Sequence, residues 1–148
     1  MNFKGIQLTL LCVVLGSCAA NQVDPASLKP VASTNVLKPE FTTPRAGTAH
    51  VTLYRLPANM DTRCDATVQV SFHDVPGGRV ADVAKMWPLD RLDLYLDPGH
   101  YRLNVYSGIC SNVLPVDVDV SLEADQTVIY RLFTGVFNMT LEPEAQIH

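Results

Sequence analysis

Several kinds of signal are missing from this 148-residue chain, and each gap excludes something. No apolar run reaches the ~20 residues that a helix needs to cross the hydrocarbon of a bilayer. The four histidines, His50, His73, His100 and His148, are scattered, with none of the HxH or HExxH spacing that zinc chemistry uses. The cysteines show no CxxC pair, so the common redox and zinc-knuckle signatures are absent. No serine stands in a GxSxG turn and no glycine-rich loop opens a helix, which removes the usual hydrolase and phosphate-cradle motifs. Apolar residues at helical spacing are also lacking. Together these gaps read as a protein that is not an enzyme, with no cofactor and no metal implied.

What is present begins at the amino terminus. Lys4 is followed by an apolar stretch from Ile6 to Leu15, broken only by Gln7 and Thr9, and then by small residues; that is the layout of a secretory signal peptide. Ala19 and Ala20 could serve an ordinary export cut. However, Leu15-Gly16-Ser17-Cys18 resembles the lipobox of bacterial lipoproteins, in which a small-residue pair precedes a cysteine that is diacylated on sulfur and then acylated on its new amine. The resemblance implies that residues 1–17 are removed and that Cys18 becomes the lipidated first residue. One acyl chain binds a membrane marginally and two or more hold it stably, so Cys18 would be a membrane anchor. With Ala19 rather than aspartate after the cysteine, the resemblance favours the outer membrane, the protein facing the periplasm. Without its signal the chain carries 10 Lys and Arg against 15 Asp and Glu, a formal net of −5, which argues against nucleic acid and against anionic lipid beyond the anchor.

Residues 18–47 contain Pro25, Pro30, Pro39 and Pro44 among small polar residues. Prolines remove amide donors and the composition buries little, so the segment reads as a disordered tether, about 90 Å long when fully stretched. A docking segment that orders on binding is the alternative. From residue 48 to 142 the pattern turns to period two. Val68, Val70 and Phe72 alternate with polar neighbours, as do Leu92, Leu94 and Leu96; Tyr101, Leu103 and Val105; and Leu114, Val116, Val118, Val120 and Leu122. Further strands are expected at 49–56, 127–134 and 136–141, leaving 143–148 as a tail. Pro76-Gly77-Gly78 marks one break. Asp97-Pro98-Gly99-His100 has the type II turn chemistry that predicts a hairpin between 90–96 and 101–107. Seven to eight short strands of this kind predict an all-β antiparallel sandwich.

Cys12 leaves with the signal and Cys18 is used by lipid, so Cys64 and Cys110 remain in an oxidising compartment, where a disulfide is the expected outcome. A redox pair or a metal site would need closer spacing. The segments "AHVTLYRL", "LDLYLDPGHYRLNVYSG" and "VDVDVSLEADQTVIYRLF" resemble a family of small bacterial lipoproteins of unknown function related to PEGA-like β-sandwich modules. The likeness spans residues 49 to about 142 and implies a surface domain with no assigned catalysis. Asp125 replaces the family's usual glycine before the last long strand, a swap a turn tolerates. A weaker similarity, in size and anchor alone, is to the transthyretin-like outer-membrane lipoprotein of type VI secretion.

Three further groups invite a functional reading. His73-Asp74 beside Asp65 would form a general-base pair if the strands bring them together. Asp117 and Asp119 on an exposed strand face could hold calcium with Asp93 or Glu123, although carboxylates there more often protect a strand edge from pairing. Met86 and Trp87 in "KMWPLD" read as a loop that could anchor a partner. The expectation is therefore a lipid-anchored envelope protein whose sandwich binds another protein or supports an envelope assembly, with a ligand-binding or enzyme-inhibitor module as the alternative.

Overall fold

In the computed structural model, residues 23–57, 64–72, 79–135 and 137–144 are described. The strands are β1 (Lys29–Pro30), β2 (Ala49–Arg55), β3 (Ala66–Phe72), β4 (Val80–Met86), β5 (Asp90–Leu96), β6 (Gly99–Tyr106), β7 (Val116–Leu122), β8 (Thr127–Thr134) and β9 (Met139–Pro143). They form a five-stranded sheet in the order β1-β5-β2-β8-β9 and a four-stranded sheet in the order β4-β3-β6-β7. Pairing is antiparallel except for β1 with β5 and β2 with β8. The all-β sandwich read from the sequence is the observed fold.

Period-two alternation builds the core. Val51 and Leu53 of β2, Val68 and Val70 of β3, Leu92, Leu94 and Leu96 of β5, Leu103 and Val105 of β6, and Leu132 of β8 are all buried, as side chains on one side of a pleated strand must be when two sheets stack. In β8, Tyr130 and Leu132 are buried on the inner side, while Ile129, Arg131 and Phe133 on the other side are half-buried. Asp125 adopts φ 59°, a left-handed turn conformation that aspartate tolerates.

Three expectations are corrected. First, β5 and β6 do not form a hairpin: β5 pairs with β2, whereas β6 pairs with β3 and β7. The Asp97-Pro98 turn instead carries the chain from one sheet to the other. Both strands are apolar on one side only, and facing each other across the core buries both sides at once. Second, the described part of the proline-rich segment is not a free tether. Lys29 and Pro30 run parallel to Asp90 and Arg91. The Val31 amide donates to the Arg91 carbonyl, and the Leu37 and Lys38 amides donate to the Val83 carbonyl. Val31 and Phe41 pack against the core. The segment thus straps the seam between the β5 side of one sheet and the β4 edge of the other, and its isolated apolar residues provide the burial that its overall composition conceals. Third, Met86 is not a loop residue. It ends β4 fully buried, because it continues the inward alternation through Ala84.

Candidate functional site

The chain's connections divide between two ends of the sandwich. At one end meet the turn from Met86 to Asp90, the loop from Ser107 to Pro115, the turn from Gly135 to Asn138, and the described flanks of the connection from β2 to β3, Leu56 and Pro57 on one side and Cys64 and Asp65 on the other. Cys18, the expected lipidation site, lies outside the described residues, as do His73, Asp74 and His148.

The disulfide between Cys64 and Cys110 fastens the start of β3 to the Ser107–Pro115 loop, with Cα atoms 5.6 Å apart. Closing a loop of that 46-residue separation stabilises a fold by about 4 kcal/mol on the chain-entropy estimate. Beside it, the buried Asp65 organises the same loop. One carboxylate oxygen accepts from the Ser107 hydroxyl at 2.9 Å, the Gly108 amide at 2.9 Å and the Ile109 amide at 3.1 Å, and the other accepts from Thr67. Ser107 in turn accepts from the Cys110 amide. Opposite stands Arg55, fully buried, donating through Nη1 to the Met86 carbonyl. Its Nε and Nη2 find no partner among the described residues. Burial works against the Arg55 charge and lowers its pKa, while Asp65 and Asp90 support the charged form.

Trp87 is half-buried. With Pro88, Leu89 and Asp90 it faces Ser27 to Lys29, Ala32 and Asn35 of the strap across an open groove of about 590 Å³. Its amide donates to the Asp90 carboxylate, and Leu89 turns the chain at φ 71°. Of the two residues expected at an interface, the fold leaves only Trp87 partly open.

On the outer face of the five-stranded sheet lies a cluster that the sequence reading missed. His50 Nε2 is 2.9 Å from Asp93 Oδ1, and the His50 ring stacks on Tyr95 with centroids 4.8 Å apart. Thr52 donates to the same Asp93 oxygen, and Arg91 Nε donates to the other. Arg91 Nη1 also donates to the Pro25 and Ala26 carbonyls, so the cluster ties down the strap. It does not form a nucleophile relay: the Thr52 proton goes to the carboxylate, and Thr52 and Asp93 meet the same ring nitrogen, whereas a relay needs hydroxyl and carboxylate on opposite ring nitrogens. The alternation of His50, Thr52 and Tyr54 against Arg91, Asp93 and Tyr95 would have shown two matching outer faces, but nothing in the sequence pairs β2 with β5.

Other candidate groups are dispersed. Asp65 stands just before β3, and its expected partners His73 and Asp74 lie outside the described residues. Asp117 accepts from Asn104, and Asp119 accepts from Arg102 Nε and Nη2. Both lie on β7, the edge of the four-stranded sheet, while Asp93 is on the other sheet. The proposed calcium ligands are therefore not gathered, and the described residues hold no group of three or more metal-ligating side chains. The position of Asp117 and Asp119 fits the guarding of a strand edge. No helix among the described residues is long and apolar enough to cross a membrane.

Comparison with models of known protein families gives no match, and comparison with curated proteins gives none either. Among solved structures, that of (S)-allantoin synthase is similar with a TM-score of 0.46 and 8% identity, over 72% of this chain and 46% of that one. This chain thus spans less than half the length of that protein, and a likeness at this level bears on neither chemistry nor partners.

Proposed function

We propose that this protein is a lipid-anchored lipoprotein of the bacterial envelope, held at the outer membrane through Cys18, whose sandwich is a non-catalytic module that docks another envelope protein. The observation that carries this reading is the Cys64–Cys110 disulfide in a chain whose first residues are laid out as a signal ending in Leu15-Gly16-Ser17-Cys18. Disulfides persist where export delivers a protein to oxidising conditions. The resemblance of residues 49 to 142 to PEGA-like lipoproteins supports the same reading. For the partner, the outer face of the five-stranded sheet offers the half-buried Tyr95 and Phe133 with the Arg131 guanidinium 4.6 Å from the Phe133 ring centroid; tyrosine and arginine are the side chains that most often anchor protein interfaces.

Mass spectrometry of the protein extracted from its native membrane tests the anchor. An amino-terminal Cys18 bearing three acyl chains is expected, and an unmodified amino terminus overturns the reading. Cross-linking of the full chain in those membranes tests the partner. One recurrent protein should be captured, and Arg131→Ala together with Phe133→Ala should reduce its yield severalfold; an unchanged yield would show that this face is not the docking surface.

A further inference from the structure

The loop end of the sandwich differs in chemistry from the opposite end. The connections Met86-Trp87-Pro88-Leu89, Ser107 to Pro115 and Gly135 to Asn138 contain no Lys, Arg, Asp or Glu, and the charges in the sequence of this end, Asp61, Arg63 and Asp65, all belong to the connection from β2 to β3. They present Leu89, Ile109, Leu114 and Phe137 at 50%, 64%, 66% and 69% exposure, four of the six large apolar side chains that stand exposed among the described residues. The loops are held together: the Leu114 amide donates to the Phe137 carbonyl and the Met139 amide to the Leu114 carbonyl, while Asp65 and the disulfide fix the Ile109 loop. At the other end the turns carry Arg45, Asp97, His100, Glu123 and Asp125, with Arg45 paired to Asp97. Exposed apolar groups gathered on one surface mark a contact site.

Resting on the anchored reading above, we propose that this end, through its three uncharged loops, is seated on the bilayer that receives the acyl chains of Cys18, with Leu89, Ile109, Leu114 and Phe137 in the headgroup region. The length of chain before the strap selects the bilayer over a protein as occupant. Arg91, the second residue of β5, holds the Pro25 and Ala26 carbonyls, and Lys29 pairs with Asp90, the first. The strap is therefore tied near the strand end into which the Trp87–Leu89 turn runs. From Cys18 to Pro25 there are only seven residue steps, which whatever their conformation span at most about 25 Å. A sandwich on so short a leash cannot stand clear of its membrane. Loop tips with tryptophan and aliphatic side chains and no charge suit the interface, where each buried apolar group adds to the attachment. The net negative charge of the rest of the domain disfavours laying its faces on anionic headgroups, which leaves this end as the contact.

Trp87 is the chain's only tryptophan and belongs to this end, so it reports on the contact directly. The acylated full-length protein would be reconstituted in phospholipid vesicles carrying a headgroup-linked nitroxide quencher. Trp87 emission should be quenched and blue-shifted. In a Trp87→Phe background, a Leu114→Trp reporter should be quenched severalfold more than a Val80→Trp reporter, since Val80 is 57% exposed at the opposite end. Ile109→Asp combined with Phe137→Asp should lower the wild-type quenching. Equal quenching at both ends, or stronger quenching at the far end, overturns the inference; so does an unquenched loop end, the result expected if that end is kept for a protein. Mass spectrometry of the same preparation separates the two failures: with Cys18 acylated and the loop end unquenched, only this inference falls, whereas an unacylated amino terminus removes the anchored reading and the inference with it.

Discussion

At Asp65 one carboxylate answers four donors, from Thr67, Ser107, Gly108 and Ile109, and faces the charge of the buried Arg55. Two effects are superimposed there. The hydrogen bonds shape the loop, and the negative charge offsets a guanidinium that burial disfavours. Asp65→Asn keeps an oxygen for the three loop donors but discards the charge, while Asp65→Ala removes both. A buried donor left without an acceptor costs about 1–3 kcal/mol, and an uncompensated buried charge adds to that. Asp65→Ala is therefore expected to lose about 3–4 kcal/mol and Asp65→Asn about half as much, measured by urea denaturation with the disulfide intact. Equal losses would mean that the charge opposite Arg55 contributes all of the effect and the loop bonds none.

The elements that hold the seam are the ones that composition conceals. The strap has only Val31 and Phe41 packed against the core, yet its amides reach both sheets. Phe41→Ala should cost about 2 kcal/mol, less than the full-burial figure because the ring is half-buried. The loss should be local: amide exchange should speed up at Val31, Leu37 and Lys38, and limited proteolysis should cut within 24–44 while the sandwich stays folded. Unchanged exchange at those amides would show that the strap is held by its backbone bonds alone. The same contrast explains what was legible in the sequence. Strands whose apolar residues alternate over five or more positions, such as Val116 to Leu122 and Asp90 to Leu96, announce themselves, because burying one face is a local pattern. Strand partners do not, since the Asp97-Pro98-Gly99 turn chemistry is equally able to close a hairpin or to cross between sheets. Short partners do not either: β1 is two residues long, one of them proline, and its pairing is fixed by Asp90 and Arg91 far along the chain. At the candidate site, Met86 and Trp87 are neighbours with opposite fates, and reading β4 one residue further would have placed Met86 inward. The disulfide was legible by arithmetic on four cysteines. The His50–Asp93 cluster was not, because it depends on which strand lies beside β2.

At the scale of the whole molecule the question is whether the two sheets fold as one unit, and the tyrosines answer it. Tyr54 and Tyr130 belong to the five-stranded sheet and Tyr101 and Tyr106 to the four-stranded one. Burial raises the pKa of all four above the ordinary value. At Tyr54 the Glu144 carboxylate, which accepts from its hydroxyl, raises it further; at Tyr106 the Asp82 carboxylate does the same. A phenol whose folded pKa lies above its unfolded pKa holds its proton in the folded state after the unfolded chain has released it. The folded form then binds more protons, so stability falls as pH rises above about 10, the unfolded value. Below that pH the phenols are neutral in both states and contribute no pH dependence. The expected alkaline titration is therefore delayed: these tyrosines should not ionise one at a time near pH ~10 but together, in the step that unfolds the domain. In a Tyr95→Phe background, which leaves these four phenols as the chain's tyrosines, phenolate absorbance and far-ultraviolet circular dichroism should change at one midpoint, and that midpoint should move up when the domain is stabilised and down in Asp65→Ala. Two separated steps would mean that one sheet opens while the other remains closed, and would assign the shared core of Val51, Leu94, Val68 and Leu103 a weaker hold than its burial implies.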